Sequence, residues 1–351
     1  MKRHTASVVA LALIAAACGS GTTSSPEPKP TSLTLVAYDS FSVEPEAFNA
    51  FTTATGIAVK VVTAGDAGTM LSKAALTAGK PEGDVMWGVD NTLLARALRS
   101  EVFRPYTSPQ LSALNPEAVA LAPRHELTPV DEGDVCINYD IAWFAEHELA
   151  PPTTLDELTQ PAYRDLLVVE NPATSSPGLA FMLATIAASG DAGWQQYWQS
   201  LRANGVSVVD SWDQAYYEQF SASTGKGPRP LVVSYGSSPP AEVVFASPRP
   251  DTAPTGVMAS SCFHQVEFAG VLRGTKYPTA SGQLVDYLVS MAFQEMLPLT
   301  LFVYPVRTGA TVPQEFTDYA VRPKDPLTVS PAEIEAKSKD WITTWTEIVV
   351  R

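Results

Sequence analysis

The segment Leu231–Ala241 (LVVSYGSSPPA) brings aromatic and hydroxyl side chains to the end of a predicted strand. Its apolar run leads directly into Tyr235, Gly236, Ser237 and Ser238, and two prolines stop the strand there. Small ligands of open α/β proteins bind at the carboxyl ends of strands, where such side chains can stack and donate hydrogen bonds. We therefore expect this segment to form one wall of a ligand-binding cleft.

Acidic side chains follow the first three predicted strands. Asp39, Asp66 and Asp90 each lie in the loop after an apolar run. Because the carboxyl ends of parallel strands meet at one edge of a sheet, these carboxylates should share one rim. A single aspartate at such a position is most often a turn former or a helix N-cap. Their occurrence together is what favours a binding role.

A second group of predicted strand ends carries hydroxyl and aromatic side chains instead. Ser175 and Ser176 precede Pro177 at a helix start, which is either an ordinary N-cap or a site for a polar or anionic group. Trp212 follows the next strand, and Tyr235 follows the one after it. The two rims differ in chemistry, which indicates two lobes facing each other across a cleft.

The adjacent residues Tyr216 and Tyr217 allow another interpretation. Their phenolates could bind ferric iron, or one ring could face a ligand while the other packs in the core. The spacing of the histidines after residue 100 indicates no metal site, and the sequence has no P-loop, HExxH or GxSxG motif. We expect no resident metal or cofactor and no catalytic centre.

The N-terminus has the pattern of an exported lipoprotein. A basic start is followed by an apolar run too short to span a bilayer, and residues 1–17 are therefore a predicted signal peptide. Cys18 is the predicted lipidation site, and residues 18–31 form a flexible tether rich in Gly, Ser, Thr and Pro. We expect an exported protein held by lipid on the outer face of the membrane; the alternative is secretion with loss of Cys18.

Two further cysteines, Cys136 and Cys262, lie in runs typical of strands. An even pair in an oxidising compartment favours a disulfide. The alternative is a catalytic thiol, but neither residue lies at a predicted helix N-terminus or in an electropositive loop.

Length and composition are those of a globular protein with two lobes. The chain has 351 residues, of which 45% are hydrophobic and 17% charged. Its formal net charge of −14 would repel nucleic-acid phosphates, so we exclude nucleic acid as a partner. Alternating strands and helices predict an α/β fold with two open, mostly parallel sheets flanked by helices.

The predicted elements set provisional boundaries. We place lobe 1 at residues 32–130 plus 268–351 and lobe 2 at residues 131–267, with hinges near Thr128–Gly133 and Glu267–Gly270. The patterns also predict separate helices at Leu179–Ala188 and Trp194–Leu201, and a strand at Leu301–Val306.

Several of these segments together resemble one known family. The segments, in chain order, are YDSF (38–41), GDVMWGVDNTLL (83–94), TSSPGL (174–179), SWDQAY (211–216), SYGSSPPA (234–241), HQVEFA (264–269) and VYPV (303–306). With the Asp66 loop, they look like the thiamine-binding substrate-binding proteins of ABC importers. The resemblance covers nearly all of residues 33–350. It implies a bilobed fold of the type 2 periplasmic-binding class and a monomer that captures thiamine or its phosphates for an ABC transporter permease.

The resemblance also implies a set of ligand contacts. They are Asp66, Ala67, Ser175, Ser176, Trp212, Tyr235, Gly236, Ser237 and Ser238, with Tyr38, Asp39, Tyr216 and Tyr304 as possible additions. Ala67 stands where the family often has glycine, Phe302 where tryptophan is common, and Gly236 where a hydroxyl residue is usual. Since the matched loops contain no Arg or Lys, we expect no tight selection for phosphate and expect both thiamine and its monophosphate to bind.

A thiamine-cleaving enzyme shares this architecture and uses a cysteine nucleophile, so a free thiol in the cleft would favour that alternative.

Overall fold

The computed structural model describes residues 28–222 and 226–351. The predicted signal peptide 1–17, the lipidation site Cys18 and residues 19–27 of the predicted tether lie outside the described residues. No helix in the two described ranges is both long enough and apolar enough to cross a bilayer.

The described part of the chain contains nine strands. They are β1 Ser32–Ala37, β2 Ala58–Thr63, β3 Val85–Asp90, β4 Thr128–Asp140, β5 Leu167–Glu170, β6 Ser207–Val209, β7 Leu231–Tyr235, β8 Thr255–Val271 and β9 Tyr304–Pro305. They form one hydrogen-bonded sheet in the order β2-β1-β3-β8-β4-β7-β5-β6, with β9 paired to β4.

Helices pack against this sheet. They are α1 Asn49–Thr55, α2 Ala67–Leu76, α3 Leu94–Arg99, α4 Pro116–Ala120, α5 Ile141–Glu146, α6 Ser176–Ala203, α7 Pro239–Val244, α8 Pro278–Leu288, α9 Met291–Gln294, α10 Leu297–Thr300, α11 Gln314–Tyr319 and α12 Pro331–Val349. Shorter 3-10 segments lie at Pro45–Phe48, Leu111–Ala113, Asp156–Thr159 and Pro161–Tyr163, and a π-helix lies at Gln214–Gln219.

The two ends of the sheet each consist of a group of parallel strands. Strands β1, β2 and β3 pair in parallel, and so do β5, β6 and β7. The long strands β4 and β8, of 13 and 17 residues, pair antiparallel with each other and with both groups. The predicted α/β class is therefore confirmed. The two predicted sheets are continuous with each other because β4 and β8 pass through both.

One local prediction is confirmed and another differs from the structure. The predicted break between the helices at Leu179–Ala188 and Trp194–Leu201 lies within α6, where the non-helical residue Gly190 at φ 69° separates two helical segments. The apolar run Leu301–Val306 is a strand only at Tyr304–Pro305, since Phe302 has a φ of 55° that an extended strand does not allow.

A disulfide joins Cys136 of β4 to Cys262 of β8, with the Cα atoms 4.2 Å apart. Both side chains are fully buried. The bond thus lies between the two strands that connect the parallel groups, next to the predicted hinge segments.

Candidate functional site

A cavity of about 460 Å³ lies where the carboxyl ends of the two parallel groups of strands face each other. Residues that follow β1 and β2 line one side of it, and residues that follow β5, β6 and β7 line the other. The volume is within the range of small-molecule sites, and the location is the one expected for ligands of open α/β proteins.

The structure brings most of the predicted ligand contacts to this cavity. The wall includes Asp66, Ala67, Ser176, Trp212, Tyr235 and Ser238, and also Tyr38, Asp39 and Tyr216.

Four predicted contacts lie off the wall. Ser175 and Ser237 are buried next to residues that line it. Gly236 packs against the backbone of Val321, where an added Cβ would be 2.2 Å from the carbonyl oxygen. Tyr304 belongs to β9, and its ring lies under the guanidinium of Arg322 at 4.6 Å.

Asp66 connects the two sides of the cavity. It is the N-cap of α2, where Oδ1 accepts from the backbone N–H of Ala67 at 2.6 Å. Its Oδ2 accepts from the backbone N–H of Trp212 on the opposite side at 3.0 Å. Burial raises the pKa of this carboxyl to about 6, although both amide hydrogen bonds act in the other direction. Both oxygens of Asp66 are therefore already bonded to backbone.

A second contact across the cavity lies beside this one. The backbone N–H of Thr69 donates to the carbonyl oxygen of Thr174 at 3.1 Å. The approach is close because residue 68 is glycine: an added Cβ would lie 2.6 Å from the Thr174 carbonyl oxygen. Helix α2 and the loop before α6 thus meet in a direct backbone-to-backbone contact.

Aromatic rings form one wall of the cavity. The rings of Trp212 and Tyr216 stack at 4.8 Å with an interplanar angle of 13°, and Tyr217 meets Trp212 edge-on at 5.3 Å. The indole N–H of Trp212 donates to Ser234 Oγ at 3.0 Å, and Ser234 Oγ lies 2.8 Å from Ser238 Oγ. These bonds fix the plane of the indole, so the wall is preformed for a flat ring.

Phenol groups complete the lining. Burial and the nearby charge of Glu267 raise the pKa values of Tyr38 and Tyr235, so both phenols stay neutral and can donate hydrogen bonds. Tyr216 donates to Glu242 Oε1 at 2.8 Å, and burial raises the pKa of that glutamate.

Carboxyl groups dominate the charge of the cavity. Six of them line it: Asp39, Asp66, Asp131, Asp213, Glu242 and Glu267. Among the described residues of the wall there is no Lys, Arg or His. Such a site favours a cationic ligand and disfavours a polyanion.

Sequence reasoning missed Asp131 and Glu267 as wall residues. They lie inside β4 and β8, not after a strand end, and their side chains are 1% and 6% exposed. The available signal was a carboxylate within an apolar run, as in Val266-Glu267-Phe268, because a buried charge without a partner is costly. Phe41, Gln265 and Phe245 on the wall carried no comparable signal.

No group of three or more His, Cys, Asp or Glu side chains in the described ranges is arranged to hold a metal ion. Both cysteines of the described part are used in the disulfide.

Comparisons with known proteins give a consistent assignment. A family model described as bacterial extracellular solute-binding protein matches residues 83–330. The thiamine-binding periplasmic proteins of Salmonella typhimurium and Escherichia coli are each 28% identical to this chain, over 91% of the chain and 94% of each relative.

Solved structures agree on the fold. A periplasmic thiamin binding protein superposes with a TM-score of 0.79 at 27% identity, covering 91% of this chain and 96% of its own. Iron-bound HitA from Pseudomonas aeruginosa superposes at 0.70 with 20% identity, over 91% of this chain and 99% of its own, which shows a shared fold alone.

Proposed function

The chain belongs to the family of bacterial extracellular solute-binding proteins, and from that premise we propose that it is a receptor for thiamine. It captures the vitamin outside the cytoplasm and delivers it to the permease of an ABC transporter. The relatives that carry this ligand in their names match the chain over nine-tenths of its length.

The observation that carries the proposal is the combination of stacked rings and carboxyl groups in one cavity. Thiamine joins a flat aminopyrimidine to a permanently cationic thiazolium, with a hydroxyethyl tail. Trp212 and Tyr235 offer faces to a planar ring, and a cation beside an aromatic face is attracted by the ring quadrupole. The wall carries six carboxyl groups and, among its described residues, no basic side chain, so it suits the positive charge of the thiazolium.

The tail has a polar subsite of its own. Ser176 and Pro177 begin α6 at the cavity wall, where backbone N–H groups at a helix N-terminus favour oxygen acceptors. Ser238 Oγ lies on the same wall. We propose that this subsite accepts the hydroxyl of thiamine or the phosphate of its monophosphate without a strong preference, because the described wall has no cationic side chain to select phosphate.

The remaining parts of the proposal concern location and assembly. We propose that the protein is exported, that Cys18 carries the lipid anchor, and that a monomer closes its two lobes on the ligand about hinges in β4 and β8. No cofactor takes part, because thiamine is cargo.

Two alternatives make different demands on the site. A thiamine-cleaving enzyme needs a cysteine nucleophile, whereas Cys136 and Cys262 are bonded to each other. A ferric-ion receptor needs free phenolates, whereas Tyr216 donates its hydroxyl to Glu242 and stacks on Trp212. Both observations favour the thiamine receptor.

Isothermal titration calorimetry and tryptophan fluorescence test the proposal. We expect thiamine and thiamine monophosphate to bind with a measurable heat and to quench fluorescence, and thiamine to be recovered intact after incubation. The absence of heat and quenching with both ligands would contradict the proposal. Cleaved thiamine would favour the enzyme, and a coloured complex with ferric ion would favour the iron receptor.

A further inference from the structure

Three carboxyl groups lie side by side on neighbouring strands at the centre of the sheet. Asp90 of β3 pairs with Glu267 of β8, and Glu267 pairs with Asp131 of β4, each in direct antiparallel register. Directly opposed residues of antiparallel strands project to the same face of a sheet. The row is thus a consequence of register, and two of its members, Asp131 and Glu267, line the cavity.

Asp131 and Glu267 interact as one pair. The indole N–H of Trp87 lies 3.1 Å from Asp131 Oδ2 and 3.2 Å from Glu267 Oε2, and the two carboxyls hydrogen-bond to each other. A hydrogen bond between two carboxyl groups requires a proton on one of them. Tyr38 donates its hydroxyl to Glu267 Oε2 at 3.4 Å. The pair is therefore built to hold one proton and one negative charge.

The third member of the row accepts four hydrogen bonds that favour its carboxylate form, although burial raises its pKa. Asp90 Oδ1 accepts from the backbone N–H groups of Thr92 and Leu93 and from the Thr92 hydroxyl, and Oδ2 accepts from the amide of Gln265. Its charge raises the proton affinity of the neighbouring Glu267.

The other titratable groups near the pair do not neutralise it. Glu132 of β4 adds negative charge, and its partner Arg322 is engaged in that ion pair. The phenols of Tyr38 and Tyr235 approach from the ends of β1 and β7 and stay neutral. Desolvation first, and Asp90 second, raise the pKa of Glu267 to about 7, and burial with the charge of Glu267 raises the pKa of Asp131 as well.

The other acids of the rim are committed elsewhere. Both oxygens of Asp66 accept backbone amides, and Asp39 Oδ1 accepts from the N–H of Gly65 at 2.9 Å. The pair Asp131 and Glu267 can still lose its shared proton. It lies where the dielectric constant is low, so a charge there interacts more strongly with a ligand than a charge at the surface does.

Resting on the proposed thiamine function, we propose that Asp131 and Glu267 supply the counter-charge for the thiazolium ring and release their shared proton when the cationic ligand binds. The O–H bond of the pair breaks, the proton passes to a buffer base, and both carboxylates remain ionised beside the ring. The pair thus selects a permanent cation over a neutral ring of the same shape.

This coupling has a definite pH dependence. Burial and the neighbouring charges raise the pKa values of both members, so the empty pair keeps its shared proton at neutral pH whereas the occupied pair does not, and the association constant for thiamine rises with pH. We expect a rise of at most about tenfold per pH unit, since one proton is exchanged. A neutral ligand should show no such slope.

Calorimetric titrations at pH 7 in buffers of different ionisation enthalpy measure the proton release directly. We expect up to about one proton released per thiamine, since the empty pair retains its shared proton. The neutral thiophene analogue, in which carbon replaces the charged ring nitrogen, should bind more weakly and release none. This comparison uses the unaltered protein and does not depend on the folding of a variant.

Variants assign the proton to the pair. The double variant D131N/E267Q should bind thiamine more weakly and release no proton. Glu170→Gln is the matched control, because Glu170 is also a buried glutamate with a raised pKa but does not line the cavity; it should keep the wild-type proton release.

The outcomes separate this inference from the proposed function. Thiamine binding without proton release, or equal release with the neutral analogue, overturns the inference and leaves the thiamine receptor intact. Release that persists in the double variant also overturns it. The absence of any thiamine binding overturns the proposed function and the inference together.

Discussion

Gly68→Ala tests whether the two sides of the cavity must touch through backbone atoms for the ligand to be held. An alanine Cβ at this position would lie 2.6 Å from the carbonyl oxygen of Thr174 and 2.8 Å from its carbonyl carbon. Neither atom can rotate away, because both belong to the backbone. An ordinary contact of 3.4 Å requires helix α2 and the facing loop to separate by about 0.8 Å, the difference between the two distances.

A separation of this size would weaken the two hydrogen bonds that lie next to Gly68. The hydrogen bond from Thr69 N to the Thr174 carbonyl would lengthen from 3.1 Å beyond bonding distance, and the bond from Trp212 N to Asp66 would be strained. A hydrogen bond contributes about 0.5–1.5 kcal/mol net, so the loss of one or both costs about 1–3 kcal/mol. If these bonds form only on closure, thiamine affinity falls by roughly 5- to 150-fold. On the same premise the clash is absent from the empty protein, so its unfolding midpoint should change little.

Calorimetry with thiamine and thermal unfolding without it give the two measurements. Gly193→Ala is the control, since Gly193 lies in α6 and the Cβ would approach only the Cβ of Ser189, at 3.3 Å. Alanine there should leave affinity unchanged and is favourable for a helix. Equal thiamine affinity in Gly68→Ala and the wild type would refute the role of the backbone contact. An equal loss of affinity in the control would refute its specificity.

Three further predictions concern the wall, the rim and the crosslink. Trp212→Ala should weaken thiamine binding more than roughly tenfold, about 1.4 kcal/mol, by calorimetry, whereas Trp143→Ala, off the wall, should not. Burial raises the folded-state pKa of Asp66 to about 6 from 3.8, so the folded chain holds this proton more tightly and the free energy of unfolding falls as pH rises from about 4 to about 6. In Asp66→Asn, urea unfolding at pH 4, 5 and 7 should lack this decrease, worth at most about 3 kcal/mol; an unchanged pH profile would contradict it. Reducing the Cys136–Cys262 bond, which spans 126 residues, should lower the free energy of unfolding by about 5 kcal/mol in urea, and an equal midpoint with and without reductant would contradict the assignment.

The strand-end residues could be predicted from sequence because their signals are local. Tyr235 and Ser238 follow an apolar run and precede prolines, and Trp212 follows a short strand before a helix. A parallel arrangement brings such ends to one edge whatever the rest of the chain does. Asp66 could be predicted as a rim residue for the same reason, but not its hydrogen bond to Trp212 N, which depends on how closely the two sides approach.

The central acids could not be predicted because they depend on register. Asp131 and Glu267 are 136 residues apart in sequence, and only the antiparallel pairing of β4 and β8 puts them opposite each other. The bulges in this ladder shift the pairing locally, so hydrophobic alternation alone does not determine which residues meet. Phe302 failed as a strand residue for a related reason. It has a positive φ and its ring packs against Phe245 and Phe316, and the apolar pattern around it predicts neither feature.

The disulfide between β4 and β8 limits how the molecule can move. These two strands form a ribbon that connects the two parallel groups of strands, and the covalent bond prevents the ribbon from shearing at Cys136 and Cys262. In the proposed closure the ribbon would bend away from the bond, and Asp131 and Glu267 lie in the longer of the two paired stretches that the bond separates. A bond of this kind persists only in an oxidising compartment. Since we propose that closure bends this ribbon, we expect the reduced chain to have a more flexible hinge than the oxidised one.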